Sequence, residues 1–153
     1  MLAKLKSFLF ANAPDGAGAP SEDETVRFAC ATLLAEAGLM DGKLDGEERA
    51  SIEHLLGKRF GLDAAATTAL LDRAMAEAKN STELYGHART VKDSFTQDER
   101  IELMEMLWEV VYADGALHDY ESNLMRRLAG LLYVEDQDSG AARKRAMDKL
   151  GLS

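Results

Sequence analysis

Two short segments of the chain repeat each other: residues 41–48 read DGKLDGEE and residues 114–121 read DGALHDYE. Both have the form Asp-Gly-x-Leu-x-x-x-Glu, and their offset is constant, since 114 minus 41 and 121 minus 48 both give 73. Each segment follows a strongly apolar stretch and precedes an amphipathic one. The pattern predicts two copies of one helix–acidic loop–helix unit that face each other.

The repeat continues into the helices that flank the two loops. On the second helix of each unit, Ile52 aligns with Met125 and Leu55 with Leu128. On the first helix, five apolar positions align by the same offset: Phe28, Cys30, Leu33, Leu34 and Ala37 with Ile101, Leu103, Met106, Leu107 and Val110. These two pseudo-symmetric hairpins and the helices between them predict a compact all-α bundle of about seven helices.

Helical periodicity extends over most of the chain. Both prolines fall within residues 13–20, whose Pro, Gly and Ala content is typical of a linker. Residues 1–20 are therefore predicted to be a short amphipathic helix and a linker, and residues 21–153 a proline-free helical domain. We predict a short helix at 2–10 and main helices at 22–39, 46–60, 64–79, 82–93, 97–113, 119–132 and 137–149.

Several helix starts have a local explanation. In a capping box, two side chains satisfy the otherwise unbonded amides of a first helical turn. Asp63 is predicted to cap a helix after a break at Gly61. Capping boxes are predicted for Ser21 with Glu24, Asp45 with Glu48, and Thr96 with Glu99.

Composition limits the class of protein. The 153 residues carry a net charge of −9, which argues against a nucleic-acid partner and favours cations or basic surfaces. The single cysteine, Cys30, lies in an apolar run, which indicates an inert core residue and a reducing cytoplasm. No stretch predicts a transmembrane segment or a signal peptide. Met104, Met106 and Trp108 are predicted core residues.

The basic residues near the end of the chain predict a solvated face, and pairing with a second copy in a homo-oligomer is the alternative. These residues are Arg126, Arg127, Arg143, Lys144, Arg145 and Lys149.

The acidic loops contain two aspartates that capping does not explain. Asp41 and Asp114 each follow a predicted helix end, where the helix dipole disfavours an anion. An Asp-Gly turn is the alternative explanation. If the loops converge, the resulting oxygen ligands would suit Ca²⁺, Mg²⁺ or Mn²⁺. The predicted metal ligands are Asp41, Glu48, Asp114 and Glu121, with Asp45 and His118 as additional candidates.

Two other kinds of site are excluded by spacing. An EF-hand is ruled out because its third and twelfth positions, counted from Asp41, are Lys43 and Ile52. The histidines, His54, His87 and His118, lack the partners of a structural zinc site. No phosphate-binding loop and no nucleophile elbow are present, so we predict no catalytic residue and no enzymatic activity.

The second loop and its surroundings resemble the TerB-like family. The resemblance rests on Tyr112-Ala113-Asp114-Gly115, then Glu121, Met125, Leu128 and Leu131-Leu132, and it covers about residues 22–149. This family includes tellurite-resistance protein B and the N-terminal domain of DjlA-type membrane co-chaperones. His118 departs from the first copy, where Asp45 stands, so the resemblance leaves room for an asymmetric ligand set.

The resemblance implies an all-α bundle of about seven helices with an acidic, metal-binding surface at the four loop carboxylates. It also implies a role in tellurite and other stress responses beside membrane-associated partners. We therefore expect a cytoplasmic stress-response module that binds a divalent cation, with peripheral attachment to the inner membrane as the alternative location. The alternative function is a metal-free scaffold whose acidic face docks a basic or membrane-associated protein. A co-chaperone role is not implied, because the chain has no J-domain.

Overall fold

Seven α-helices make up the described part of the chain. The computed structural model describes residues 22–40, 44–80, 84–113, 117 and 119–152. The helices are α1 (Glu22–Gly38), α2 (Gly46–Phe60), α3 (Ala64–Asn80), α4 (Leu84–Ser94), α5 (Gln97–Val111), α6 (Asp119–Leu131) and α7 (Asp136–Lys149). The all-α prediction is confirmed, and the seven main helices lie within two residues of their predicted bounds. The predicted helix at 2–10 lies outside the described residues.

Helix α1 is the centre of the bundle. It contacts α2, α3, α4, α5 and α6, and every residue from Ala29 to Ala35 is buried. A helix that is buried on all sides must be apolar all round. Its single polar residue in this stretch, Thr32, donates its hydroxyl to the Phe28 carbonyl at 2.8 Å.

The predicted core residues are in the core. Cys30 is 1% exposed, and Met104, Met106 and Trp108 are each at most 6% exposed. Helix α5 packs against α7 as well as against α1, and α2 packs against α3. The apolar faces of all seven helices thus share one core.

A glycine sets the close approach between α1 and α2. A Cβ at Gly38 would lie 2.3 Å from Leu44 Cδ1 and 3.3 Å from Ile52 Cδ1. Any larger residue would push the start of α2 away from the end of α1. Gly38 therefore positions the residues on both sides of the first acidic loop.

Two helices end in the left-handed conformation. After α2, Gly61 has φ 65° and the Leu62 amide donates to the Gly57 carbonyl at 3.1 Å. After α6, Tyr133 has φ 58° and the Val134 amide donates to the Ala129 carbonyl at 2.9 Å. Both are Schellman-type ends, in which glycine is the usual left-handed residue.

Local capping accounts for the other boundaries. The Thr96–Glu99 capping box at the start of α5 is confirmed, and so is Asp63 as a cap, since its Oδ1 accepts the Ala66 amide at 2.8 Å. The box predicted at Ser21 lies outside the described residues. Helix α5 ends two residues before its predicted end.

We predict that Gly61→Ala lowers the free energy of unfolding by about 1 kcal/mol, because a residue with a Cβ is disfavoured at positive φ. Nothing lies within 4 Å of the added Cβ, so the cost is in the backbone alone. The control is Gly46→Ala, where space is equally open but the residue is helical. Urea unfolding should show no loss for that control; equal losses would contradict the prediction.

Candidate metal centre and its surroundings

The first acidic loop leads into a complete capping box. The Glu48 amide donates to Asp45 Oδ1 at 2.8 Å, and Glu48 Oε1 accepts the Asp45 amide at 3.3 Å. Glu48 is only 4% exposed. This confirms the predicted capping box, and it places the two carboxylates together at the first turn of α2.

The second loop leads into α6, which carries Glu121 in its first turn. Glu121 is also 4% exposed, so both loop glutamates are buried. The leucines of the two loops, Leu44 and Leu117, are half-buried and pack against the common core. Each loop is therefore anchored by a leucine and followed by a buried glutamate.

The other predicted ligands, Asp41, Asp114 and His118, lie outside the described residues. Within the described ranges, no group of three or more His, Cys, Asp or Glu side chains could hold a metal ion. Asp45 and Glu48 are brought together there, while Glu121 lies on a different helix. The full four-carboxylate set therefore stays a prediction.

Two half-buried glutamates behind the loops were not predicted as site residues. Burial raises the pKa of Glu36 on α1, while His87 and Arg127 lower it and Glu77 adds to the rise. Burial likewise raises the pKa of Glu109 on α5, where Lys149 opposes the rise. The repeat offset gives a signal that would have found them, since 109 minus 36 is also 73.

The basic end of the chain is only partly a solvated face. Arg145 Nε lies 2.5 Å from Glu105 Oε1, and Lys149 Nζ pairs with both Glu105 and Glu109. Burial acts to raise the pKa of Glu105, but the hydrogen bonds from Lys149 and Arg145 outweigh it and lower that pKa. The prediction was wrong for these two residues because α7 packs against α5, which supplies acidic partners within the same chain.

Arg143 is also committed within the chain. Its Nε donates to the Tyr112 hydroxyl at 2.7 Å, and its guanidinium lies 5.3 Å from the Trp108 ring centre. Trp108 in turn donates its Nε1 to the Ser139 hydroxyl at 3.2 Å. Because Tyr112 ends α5, this cluster fixes the point where the chain leaves α5 for the second loop.

The described histidines have different surroundings. His54 is exposed on α2. His87 Nε2 lies 2.8 Å from Glu77 Oε2 and its ring packs edge-on against Phe28, with 5.9 Å between ring centres. Both agree with the expectation that they are surface or packing residues.

The helical arrangement and the paired acidic loops coincide with one known family. The family model for tellurite resistance protein TerB matches residues 27–144, which is more than half of the chain. The chain belongs to the TerB family. No curated protein and no solved structure matches it.

The TerB-family match includes both loops and both buried glutamates, and it ends within α7. In the described ranges, none of the helices combines the length and the apolarity needed to cross a membrane.

We predict that Glu36→Gln stabilises the protein near pH 7 and that this gain disappears in acid. Since burial raises the pKa of Glu36, the folded state holds the proton more tightly than the unfolded chain does. The protonated form's stabilisation is complete below the unfolded pKa of about 4.3 and is lost as pH rises through the folded pKa. Glutamine removes that loss.

The measurement is urea unfolding of both proteins from pH 3.5 to pH 7.5, a range of about four units around the unfolded pKa. The control is Glu47→Gln, which removes a charge from an exposed position on α2. A gain from Glu36→Gln that is constant with pH, or that matches the control, would contradict the role of burial.

Proposed function

We propose that this TerB-family protein is a stress-response module, of the tellurite-resistance type, that binds a divalent cation through its two Asp-Gly-x5-Glu loops. Carboxylate ligands suit Ca²⁺, Mg²⁺ or Mn²⁺, with water completing the coordination shell. Asp45 and His118 are additional candidates. The proposed ligands are Asp41, Glu48, Asp114 and Glu121.

The observation that carries the proposal is the burial of Glu48 and Glu121. Each is 4% exposed in the first turn of its helix, and each occupies the same place in its loop motif. Burying a carboxylate is unfavourable unless hydrogen bonds or a cation compensate for lost hydration. A cation held between the loops would compensate both glutamates at once.

The helix contacts support a duplicated architecture. Helix α1 packs against α2 and α3, and α5 packs in the same way against α6 and α7. Across the halves, α1 contacts α6 and α2 contacts α5. The left-handed residues after α2 and α6 are also equivalent, with an offset one residue shorter, since 133 minus 61 gives 72. We infer that the two halves are related by a pseudo-twofold axis.

The charges behind the loops support their convergence at one end of the bundle. Glu36 lies one turn before the first loop and interacts with Arg127, two turns into the helix after the second loop. Glu109, before the second loop, interacts with His54 on the helix after the first. Such reciprocal pairs are expected if both loops leave the bundle on the same side.

One observation favours the alternative, a metal-free scaffold that docks a basic protein on its acidic face. Glu48 already has a local partner, since it and Asp45 exchange hydrogen bonds in the capping box. In this account the charge of the loops serves protein association, and binding weakens with salt but not with a chelator. A membrane-associated partner and a cytoplasmic location remain part of the proposal, and no catalytic step is involved.

The test is thermal unfolding of metal-stripped protein titrated with Ca²⁺, Mg²⁺, Mn²⁺ and Zn²⁺. A ligand that binds only the folded state should stabilise it by about 2.7 kcal/mol at a hundredfold excess over Kd. The double variant Asp41→Asn/Asp114→Asn should abolish an ion-selective rise in midpoint. No rise with any of the four ions would favour the metal-free scaffold.

A second variant separates ligation from capping. Glutamine can replace glutamate at the third position of a capping box, so Glu48→Gln should keep the metal-free midpoint nearly unchanged. It should reduce the cation-dependent rise, because a neutral amide is a weaker ligand than a carboxylate. The matched control is Glu99→Gln in the capping box of α5. Equal cation-dependent rises in all three proteins would exclude Glu48 as a ligand.

A further inference from the structure

Tyr133 has an unfavourable backbone conformation without burial to compensate for it. It is the one non-glycine residue with positive φ in the described part of the chain, at 58°. Its side chain is 67% exposed. The corresponding end of α2 uses Gly61, which has no Cβ to clash. A strained residue that exposes a large aromatic ring is a reason to look for a function.

The surroundings of Tyr133 are basic. Lys92 Nζ on α4 lies 4.7 Å from the centre of the Tyr133 ring. The Tyr133 carbonyl accepts from Gln97 Nε2 at 3.5 Å, and Gln97 Oε1 accepts from Arg100 Nη2 at 2.5 Å. Arg100 Nε is buried and has no hydrogen-bond partner among the described residues. A cation–π contact and a chain of hydrogen bonds thus join the tyrosine to two cations.

The basic and aromatic character extends along two helices. On α4, Tyr85, Arg89 and Lys92 are four and three residues apart and so share one face. Tyr85 is 62% exposed and the Arg89 side chain 66%. On α6, exposed Arg126 lies seven residues before Tyr133, which is two helical turns. The two rows approach each other at the Lys92–Tyr133 contact.

The charge of this surface is opposite to that of the protein. Asp93 is the acidic residue paired with the α4 row, 3.1 Å from Lys92 Nζ and 3.8 Å from Arg89 Nε. The cations nearby outnumber it, whereas the whole chain carries −9. Charge complementarity therefore favours an acidic occupant. The overall negative charge disfavours a nucleic acid, and exposed tyrosines suit the mixed polar and apolar side chains of a protein.

We propose that this basic–aromatic surface docks an acidic segment of a partner protein, with Tyr133 as its anchor. The surface consists of Tyr85, Arg89, Lys92, Arg126 and Tyr133. Tyrosine and arginine are the residues that most often dominate binding energy at protein interfaces. The surface uses none of the loop residues, so the inference goes beyond the proposed cation site and does not depend on it.

The test measures fluorescence anisotropy with a short labelled peptide of glutamate and aspartate with leucine and tryptophan interspersed. Its control peptide carries glutamine and asparagine in place of the acids. The acidic peptide should bind the full chain at low salt, weaken as salt rises, and bind much more tightly than the control peptide. Equal binding of the two peptides would overturn the charge argument.

Protein variants separate this surface from net charge. Arg89→Glu/Arg126→Glu should abolish peptide binding, while Lys58→Glu/Lys144→Glu makes the same charge change at exposed positions outside the surface and should have little effect. Tyr133→Gly should weaken binding by about tenfold. It should also raise the thermal midpoint, because glycine relieves the positive φ. Equal losses in both double variants, or unchanged binding by Tyr133→Gly, would overturn the proposal.

Two further outcomes would assign another occupant and so overturn the proposal. The first is a dimer of the protein alone in sedimentation velocity that Tyr133→Gly abolishes, since the occupant would then be a second copy. The second is single-stranded DNA binding as tightly as the acidic peptide with the same dependence on Arg89 and Arg126. A monomer that binds the peptide and not the DNA supports the acidic segment.

Discussion

Burial of α1 on all sides is the constraint on which the rest of the structure depends. Its residues Ala29–Ala35 contact helices from both halves of the chain. Small side chains at several of these positions allow the close approach, and Gly38 continues it to the end of the helix. The position of α1 in turn fixes where the first acidic loop begins and where α2 can pack.

A helix this deeply buried makes any charge it carries expensive. Glu36, one turn from the end of α1, keeps a raised pKa because the surrounding helices remove much of its hydration. Glu109 on α5 is in the same situation, although Lys149 lies 3.7 Å away. The two halves thus concentrate half-buried carboxylates directly behind the acidic loops, where positive charge would be most favourable.

The molecule has two surfaces of opposite chemistry. The loop side combines the buried Glu48 and Glu121 with the aspartates of the motif. The surface around Tyr133 instead presents tyrosines with arginine and lysine. A departure from the repeat creates it, because the helix end that carries Gly61 in the first half carries an exposed tyrosine in the second. Duplication followed by local divergence would give one fold two distinct binding faces.

The sequence by itself determined the all-α class, the bounds of the seven main helices, the capping boxes and the TerB family, because these depend on residues close together in the chain. It also predicted the core positions of Cys30, Met104 and Trp108 from helical periodicity. Only the tertiary structure decided that Arg145 and Lys149 pair with Glu105, that Arg143 holds Tyr112, and that Lys92 meets Tyr133. Those contacts join residues more than thirty positions apart, and helix packing alone brings such residues together.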